Sequence, residues 1–318
     1  MPTAQAPLFR DPIYDGAADP TVIWNAEEQS WWLLYTNRRA NVPCRGVSWV
    51  HGTDIGIASS ADGGGSWTYR GILQGLEFER GRNTFWAPEI IRHRQTYHMY
   101  VSYVPGIPHD WSGPRSIVHM TSPNLWDWHY ESTLPLSSDR VIDAGVMQLP
   151  GGVWRMWYKD EAHGSFTYAA DSSDLHQWQV RGPVITDCAH EGPNVFRWRG
   201  WCWMITDFWA GLGVYRSDDA EHWQRQPNIL DTPGRRPDDG QIGAHADVLV
   251  QGERAFIFYF THPDWDRTQQ YGMQDVHPYP VKRTSLQVAE LDLENGILVC
   301  DRSRAFDWTL QPPTGGTA

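Results

Sequence analysis

The sequence predicts an all-β chain folded as a five-bladed β-propeller, and three observations carry the prediction. A two-strand unit with a polar opening and an aromatic second strand recurs five times. A Ser/Asp turn that ends in Trp recurs four times, out of phase with that unit. Spacing of about 45 to 65 residues between units rich in short strands indicates four-stranded blades stacked around an axis rather than a sandwich.

The first unit runs from Asp19-Pro20-Thr21-Val22-Ile23 to Trp31-Trp32-Leu33-Leu34-Tyr35. The second runs from Trp86-Ala87-Pro88-Glu89-Ile90-Ile91 to Tyr97-His98-Met99-Tyr100-Val101. In the third, Asp143 leads into Val153-Trp154-Arg155-Met156-Trp157-Tyr158, and in the fourth Glu191 leads into Trp201-Cys202-Trp203-Met204-Ile205. The fifth joins His245-Ala246-Asp247-Val248-Leu249 to Ala255-Phe256-Ile257-Phe258-Tyr259-Phe260. The turns span Ser60 to Trp67, Ser122 to Trp128, Ser172 to Trp178 and Ser217 to Trp223. Their Ser, Asp and Gly supply turn chemistry, and the Trp is expected to pack beneath between the outer strands.

A length of 318 residues would ordinarily suggest about two domains, but closed β folds often run this long as one. Residues 1–318 therefore read as one propeller, with blades opening near residues 19, 86, 143, 191 and 245. No stretch of about 18 apolar residues appears, so a membrane is not expected as a partner. The first ten residues hold two prolines and no apolar core of signal-peptide length, so the chain as it stands is expected to be cytoplasmic unless a leader has been removed. Cys44, Cys188, Cys202 and Cys300 lack metal-type spacing and are too sparse for a disulfide framework, which leaves free thiols as the expectation. A net charge of −12 with only short basic runs disfavours nucleic acid.

In a propeller the first strand of every blade starts near the axis, so the residues that open those strands converge. Asp19, Asp143 and Glu191 open the first, third and fourth blades, with Trp86 and His245 in the equivalent places of the second and fifth. Crowded carboxyl groups repel one another, which raises a carboxyl pKa toward working pH. Hydrolysis of a glycosidic bond needs one carboxylic acid for the leaving oxygen and one carboxylate to activate water or attack carbon. A third carboxylate can hold the acid in place and keep it protonated. Taken singly, each acid reads as a strand-start, turn or solvated residue; their shared place in a repeat gives the set its meaning. Nineteen Trp exceed what packing explains, and Trp86, Trp111, Trp209 and Trp265 offer flat faces to a sugar ring. The expected partner is an oligosaccharide or polysaccharide.

Asp19-Pro20, Trp86-Ala87-Pro88-Glu89, Ile142-Asp143 and Glu191-Gly192-Pro193, in this order, resemble glycoside hydrolase family 43, the five-bladed propeller arabinosidases and xylosidases. The resemblance runs from about Asp19 to about Phe260 and implies an inverting mechanism. Asp19 would be the general base, Glu191 the general acid, and Asp143 the residue that tunes and orients that acid. Gly243-Ala244-His245 resembles the family's fifth-blade His motif, which implies a calcium ion or a water cluster on the axis beside His245; read by itself, His245 is a hydrogen-bonded core histidine. The family's Gly-His-Gly is Ala244-His245-Ala246 here. No cofactor is otherwise implied. His190-Glu191 resembles the His-Glu pair of the related family 117 anhydro-galactosidases, which would give His190 the acid role. A carbohydrate-binding propeller without catalysis is the other reading, and it requires one of the three acids to miss the axis.

Substrate choice falls to loops. Val104 to Arg115 follows the second strand of the second blade and reads equally as subsite or outer edge. Arg38 and Arg39 in the first blade read either as a solvated turn or as a contact for an acidic or sulfated sugar. The segment from His262 to Lys282, with Asp264, Trp265, Arg267, Tyr271 and His277, reads as a lid or a subunit contact.

Overall fold

Five meanders of four antiparallel strands make up the computed structural model, which describes residues 3–266 and 268–313. The first blade holds β1 (Ala17–Asn25), β2 (Ser30–Asn37), β3 (Asp54–Ser60) and β4 (Thr68–Ile72). The second holds β5 (Thr84–His93), β6 (Thr96–Val104), β7 (Ser116–Ser122) and β8 (His129–Thr133). The third comprises β9 (Val141–Gln148), β10 (Trp154–Asp160), β11 (Phe166–Ser172) and β12 (Gln179–Ile185). The fourth comprises β13 (Glu191–Trp198), β14 (Trp201–Asp207), β15 (Leu212–Ser217) and β16 (Gln224–Ile229). The fifth has β17 (Ala244–Gln251), β18 (Arg254–Thr261), the short helix α1 (Tyr279–Lys282), β19 (Ser285–Glu294) and β20 (Ile297–Val299). The first strand of each blade packs against those of its two neighbours, and the circle closes where β17 meets β1. The fold is a five-bladed β-propeller.

The core is a set of seams between blades. The second strands are buried on both faces and so read as near-continuous apolar runs. Side chains alternate across each strand: Trp31, Leu33 and Tyr35 pack toward Phe256, Phe258 and Trp308 of the fifth-blade side, while Trp32 and Leu34 pack against Met99 and Val101 of the second. The outermost strands β4 and β8 are largely exposed. The chain ends reinforce the seam between last and first blades. Leu8 donates its N–H to Leu286, and Leu310 accepts the Trp31 indole and donates to Gly63.

The Ser/Asp turns link third and fourth strands. Ser60 Oγ accepts the Gly64 N–H at 2.8 Å and donates to Asp62 at 2.7 Å, and Ser172 and Ser217 repeat the pattern. Trp128 and Trp178 are buried beneath their turns, whereas Trp67 and Trp223 are half-buried.

Every first strand carries a break in register at the position that opens it: between Ala18 and Thr21, Trp86 and Glu89, Glu191 and Asn194, Ala244 and Ala246, and in β9 opposite the stretch Trp157 to Lys159. Asp19-Pro20, Ala87-Pro88, Asp143-Ala144 and Gly192-Pro193 are thus two-residue bulges. Proline fits the second place because that residue owes no N–H to the ladder. The first residue of each has positive φ: 47° at Asp19, 45° at Ala87, 59° at Asp143 and 60° at Gly192. No helix among the described residues is long and apolar enough to cross a membrane, and the four cysteines are free.

Candidate active site

A cavity of about 850 Å³ opens at the rim where the first strands begin, and Asp19, Asp143, Glu191, Trp86 and His245 all line it. In an antiparallel meander the end of the second strand returns to the rim where the first began. The loops after second strands therefore wall the same cavity, and the segment from Val104 to Arg115 belongs to the site through Trp111 and Arg115 rather than to an outer edge. His262 to Lys282 is a wall as well, contributing His262, Trp265, Tyr271 and His277; Arg267 lies outside the described residues. Trp49, Trp86, Trp111, Trp209 and Trp265 give the cavity an aromatic lining.

Each acid is held differently. Arg38 Nη2 reaches both oxygens of Asp19, at 3.0 and 3.2 Å, while its guanidinium stacks 4.6 Å from the Phe260 ring centre. Asp143 accepts the Gly192 N–H at 3.1 Å, and its own N–H goes to Ser102 Oγ at 2.9 Å. Burial, opposed by His245 and reinforced by Glu191, pushes the Asp143 carboxyl up to about 7. Burial would also raise Glu191, but Lys159 Nζ at 3.0 Å, with help from Trp209 and His245, outweighs it and leaves this carboxyl below its ordinary value.

Two charged residues at the ends of second strands complete the cluster, and neither was singled out from the sequence. Lys159, next to last in β10, binds Glu191 and also Glu161 at 3.2 Å, and lies 5.1 Å from the Trp209 ring centre. Asp207 ends β14 as the cross-strand partner of Glu191, and accepts the N–H groups of His245 at 2.9 Å and Trp209 at 2.6 Å. Burial and then Glu191 push Asp207 up to about 6. The available signal was a charged residue closing an otherwise apolar strand, as in Trp157-Tyr158-Lys159 and Ile205-Thr206-Asp207.

His190 is not part of the cavity. Consecutive side chains on a strand face opposite ways, so the residue before Glu191 turns inward. Its ring is fully buried, with Nε2 2.6 Å from Thr167 Oγ1, Nδ1 2.8 Å from the Cys188 carbonyl and Phe208 packed edge-on. The ring is absent from the cavity lining, and burial holds its pKa below the usual histidine value.

His245 does line the cavity, with Nδ1 3.6 Å from Asp19 Oδ1. Burial would lower its pKa, but Asp143, Asp19, Glu191 and Asp207 together raise it. Calcium takes six to eight oxygen ligands. Here the carboxylates are turned to Arg38, Lys159 and backbone N–H groups, and among the described residues no group of three or more acidic, His or Cys side chains is arranged to hold a metal ion. The residues present do not fit a calcium site at His245. Arg39 also departs from a ligand contact, because its guanidinium is spent on the carbonyls of His51 and Ser48.

No protein-family model and no curated protein matches the chain. Solved structures do. A thermostable family-43 glycoside hydrolase superposes with a TM-score of 0.65 at 21% identity, over 96% of this chain and 98% of the other. A family-43 β-xylosidase/α-arabinofuranosidase from a compost microbial metagenome, solved with xylotriose in a calcium-free form, gives 0.67 at 14% identity over 93% and 96%. A family-43 β-1,3-galactosidase with galactodeoxynojirimycin gives 0.64 at 14% over 90% and 93%. The chain thus has the five-bladed propeller fold of the family-43 glycoside hydrolases.

Proposed function

We propose that the protein is an exo-acting, inverting glycoside hydrolase that releases a terminal neutral sugar of the arabinofuranose, xylose or galactose type. The observation that carries this reading is the meeting of Asp19, Asp143 and Glu191, from three blades, in one Trp-lined cavity. The shared placement of the three acids favours this reading over a carbohydrate-binding propeller without catalysis.

In this reading Asp19, fixed by Arg38, takes a proton from the water that attacks the anomeric carbon. Glu191 gives its proton to the leaving oxygen, and Asp143, through the Gly192 N–H, sets the backbone that carries Glu191. A neutral sugar suits the electrostatics, since Arg38, Arg115 and Lys159 are each paired with an acid of the same cavity. Terminal action is supported by the walls. Gly46 donates to Asp275 at 2.8 Å and Val47 to His109 at 3.0 Å, which laces the loops of the first, second and fifth blades around the mouth. Solved proteins of this fold include a β-xylosidase/α-arabinofuranosidase and a β-1,3-galactosidase.

Proton NMR of hydrolysis across arabino-, xylo- and galacto-oligosaccharides tests the proposal. Release of one terminal sugar as the inverted anomer, abolished in Asp19→Asn and Glu191→Gln, is the expected result. Retention of configuration, or turnover that survives both substitutions, overturns it.

A further inference from the structure

The ends of the second strands show an internal pattern in three of the five blades; in the fifth the place falls to Phe260, opposite Ala244, and in the third to a charged residue. Thr36, Ser102 and Asp207 each pair across the sheet with the residue at the edge of the bulge: Ala18, Trp86 and Glu191. Each of the three also accepts, through its side chain, the first bulge N–H of the next blade: Ala87 to Thr36 at 2.8 Å, Asp143 to Ser102 at 2.9 Å, His245 to Asp207 at 2.9 Å. Lys159 occupies that place in the third blade, opposite Ile142. An ammonium group has no lone pair to accept an N–H. The Gly192 N–H is taken by Asp143 instead, and Lys159 turns to the side chain of the neighbouring residue, Glu191.

A cation this deep needs fixed partners. Lys159 is 4% exposed, lies between Glu191 and Glu161, and faces the ring of Trp209. Glu161 is anchored in turn by Arg115 at 3.2 Å and Arg140 at 3.4 Å. The ammonium is thus held from behind by Glu161 and presented to Glu191 from the cavity wall.

Resting on the reading of Glu191 as the general acid, we infer that Lys159 is a positioning residue for proton donation. It fixes the Glu191 carboxyl and stabilises the carboxylate that forms when the acid gives up its proton. In that step the Glu191 O–H bond breaks and its proton passes to the glycosidic oxygen. The bonding pair stays on Glu191 beside the ammonium, the glycosidic carbon–oxygen bond breaks with its pair going to the protonated leaving oxygen, and the water oxygen bonds to the anomeric carbon as Asp19 takes the water's proton. Stabilising the donor's conjugate base favours transfer most where the leaving group most needs a proton. The other charged groups around Glu191 are Asp143 on β9, Arg115 and Glu161 on the wall, Asp207 on β14 and His245 on β17.

The test uses Lys159→Met and Lys159→Arg in the full chain, with two readouts. Carbon-13 NMR of protein labelled at the glutamate carboxyl, with the Glu191 signal assigned by Glu191→Gln, follows the titration directly. Lys159→Met is expected to move it upward by about one pH unit or more, as loss of an adjacent opposite charge does, and Lys159→Arg to leave it low. On the oligosaccharide chosen by the anomer assay, the limiting kcat/KM of Lys159→Met at pH below the Glu191 titration is expected to fall about tenfold, with the alkaline limb shifted to higher pH. The fall is expected to be much smaller on the matching 2,4-dinitrophenyl glycoside, whose leaving group needs no proton. An unmoved Glu191 titration, or equal losses on both substrates with an unmoved pH profile, overturns the inference while leaving the acid assignment intact. Turnover indifferent to Glu191→Gln overturns the acid assignment, and with it the role given to Lys159.

Discussion

Asp143 grips the peptide N–H of Gly192 at 3.1 Å, one residue past Glu191 and across the seam between the third and fourth blades. Asp143 therefore also holds the backbone next to Glu191, the residue proposed as the general acid. Asp143→Asn keeps an acceptor for that N–H but removes the proton. The expected result is a loss of about 10²-fold in kcat on oligosaccharides across the pH range. Steady-state rates from pH 4 to pH 9 check this.

The same residue has an opposite effect on stability. Its folded carboxyl keeps a proton to about 7, while the unfolded one loses it near 3.8. Across that window the folded state binds more protons, so stability falls as pH rises. Asp143→Asn is expected to unfold at higher temperature than wild type at pH 8 and to lose that advantage below pH 4, as read by calorimetry.

Asp207 supports two backbone donors at once, His245 and Trp209. Asp207→Ala strands both, and an unpartnered buried N–H costs about 1–3 kcal/mol. Asp207→Asn retains one acceptor oxygen and is expected to recover about half of that loss in urea unfolding. Both variants are expected to raise KM, because Trp209 leaves its place on the cavity wall.

Gly46 adopts φ +53°, and a Cβ there would stand 2.1 Å from the His109 carbonyl oxygen and 2.6 Å from that of Met273. No rotamer relieves a clash with backbone. Gly46→Ala is expected to part the three loops at the mouth, raising KM at least several-fold with kcat little changed, since the axial acids lie on the strands. Saturation kinetics on the oligosaccharide check it.

Acid sensitivity is expected from the second blade. His98 Nδ1 and His119 Nε2 lie 3.0 Å apart, their rings nearly parallel with centres 5.2 Å apart, and burial holds them down to about 4 and about 3. His176, His93, Glu131 and Asp174 are the titratable neighbours. Both histidines are neutral when folded and take protons near 6.5 when unfolded, so their contribution is complete above that pH and is lost as pH falls toward 4. The slope is about 1.4 kcal/mol per pH unit for each ring. His119→Phe, which keeps the stacking on Tyr100, is expected to flatten the fall of the unfolding midpoint between pH 6.5 and 4.

Much of this fold is legible because burial on both faces writes itself into composition. The second strands are apolar throughout, and each recurrence of such a run after a polar opening marks a blade. The bulges explain why the openings read as Asp-Pro, Ala-Pro and Gly-Pro: one residue must tolerate positive φ and the next owes no N–H. Lys159 and Asp207 escaped notice because a charge at the end of an apolar strand looks like ordinary solvation until the meander brings that end back to the axis. His190 misled for the converse reason. Adjacency in sequence to Glu191 suggests shared chemistry, whereas strand geometry sends neighbours to opposite faces. Arg38 was visible as a basic residue, but its partner Asp19 lies 19 positions away, joined only by the pairing of β1 with β2.

The seam bonds carry a further consequence for how such a site comes into being. Thr36 holds Ala87, Ser102 holds Asp143, Asp143 holds Gly192, Asp207 holds His245, and Asp247 holds Val22 on the first blade. Orientation is handed from blade to blade like a bearing around a survey loop, and only a closed traverse removes the accumulated error. A chain cut before the fifth blade would still contain Asp19, Asp143 and Glu191, yet nothing would return the line to its origin. The reactive geometry belongs to the ring as a whole and comes into existence with its last seam.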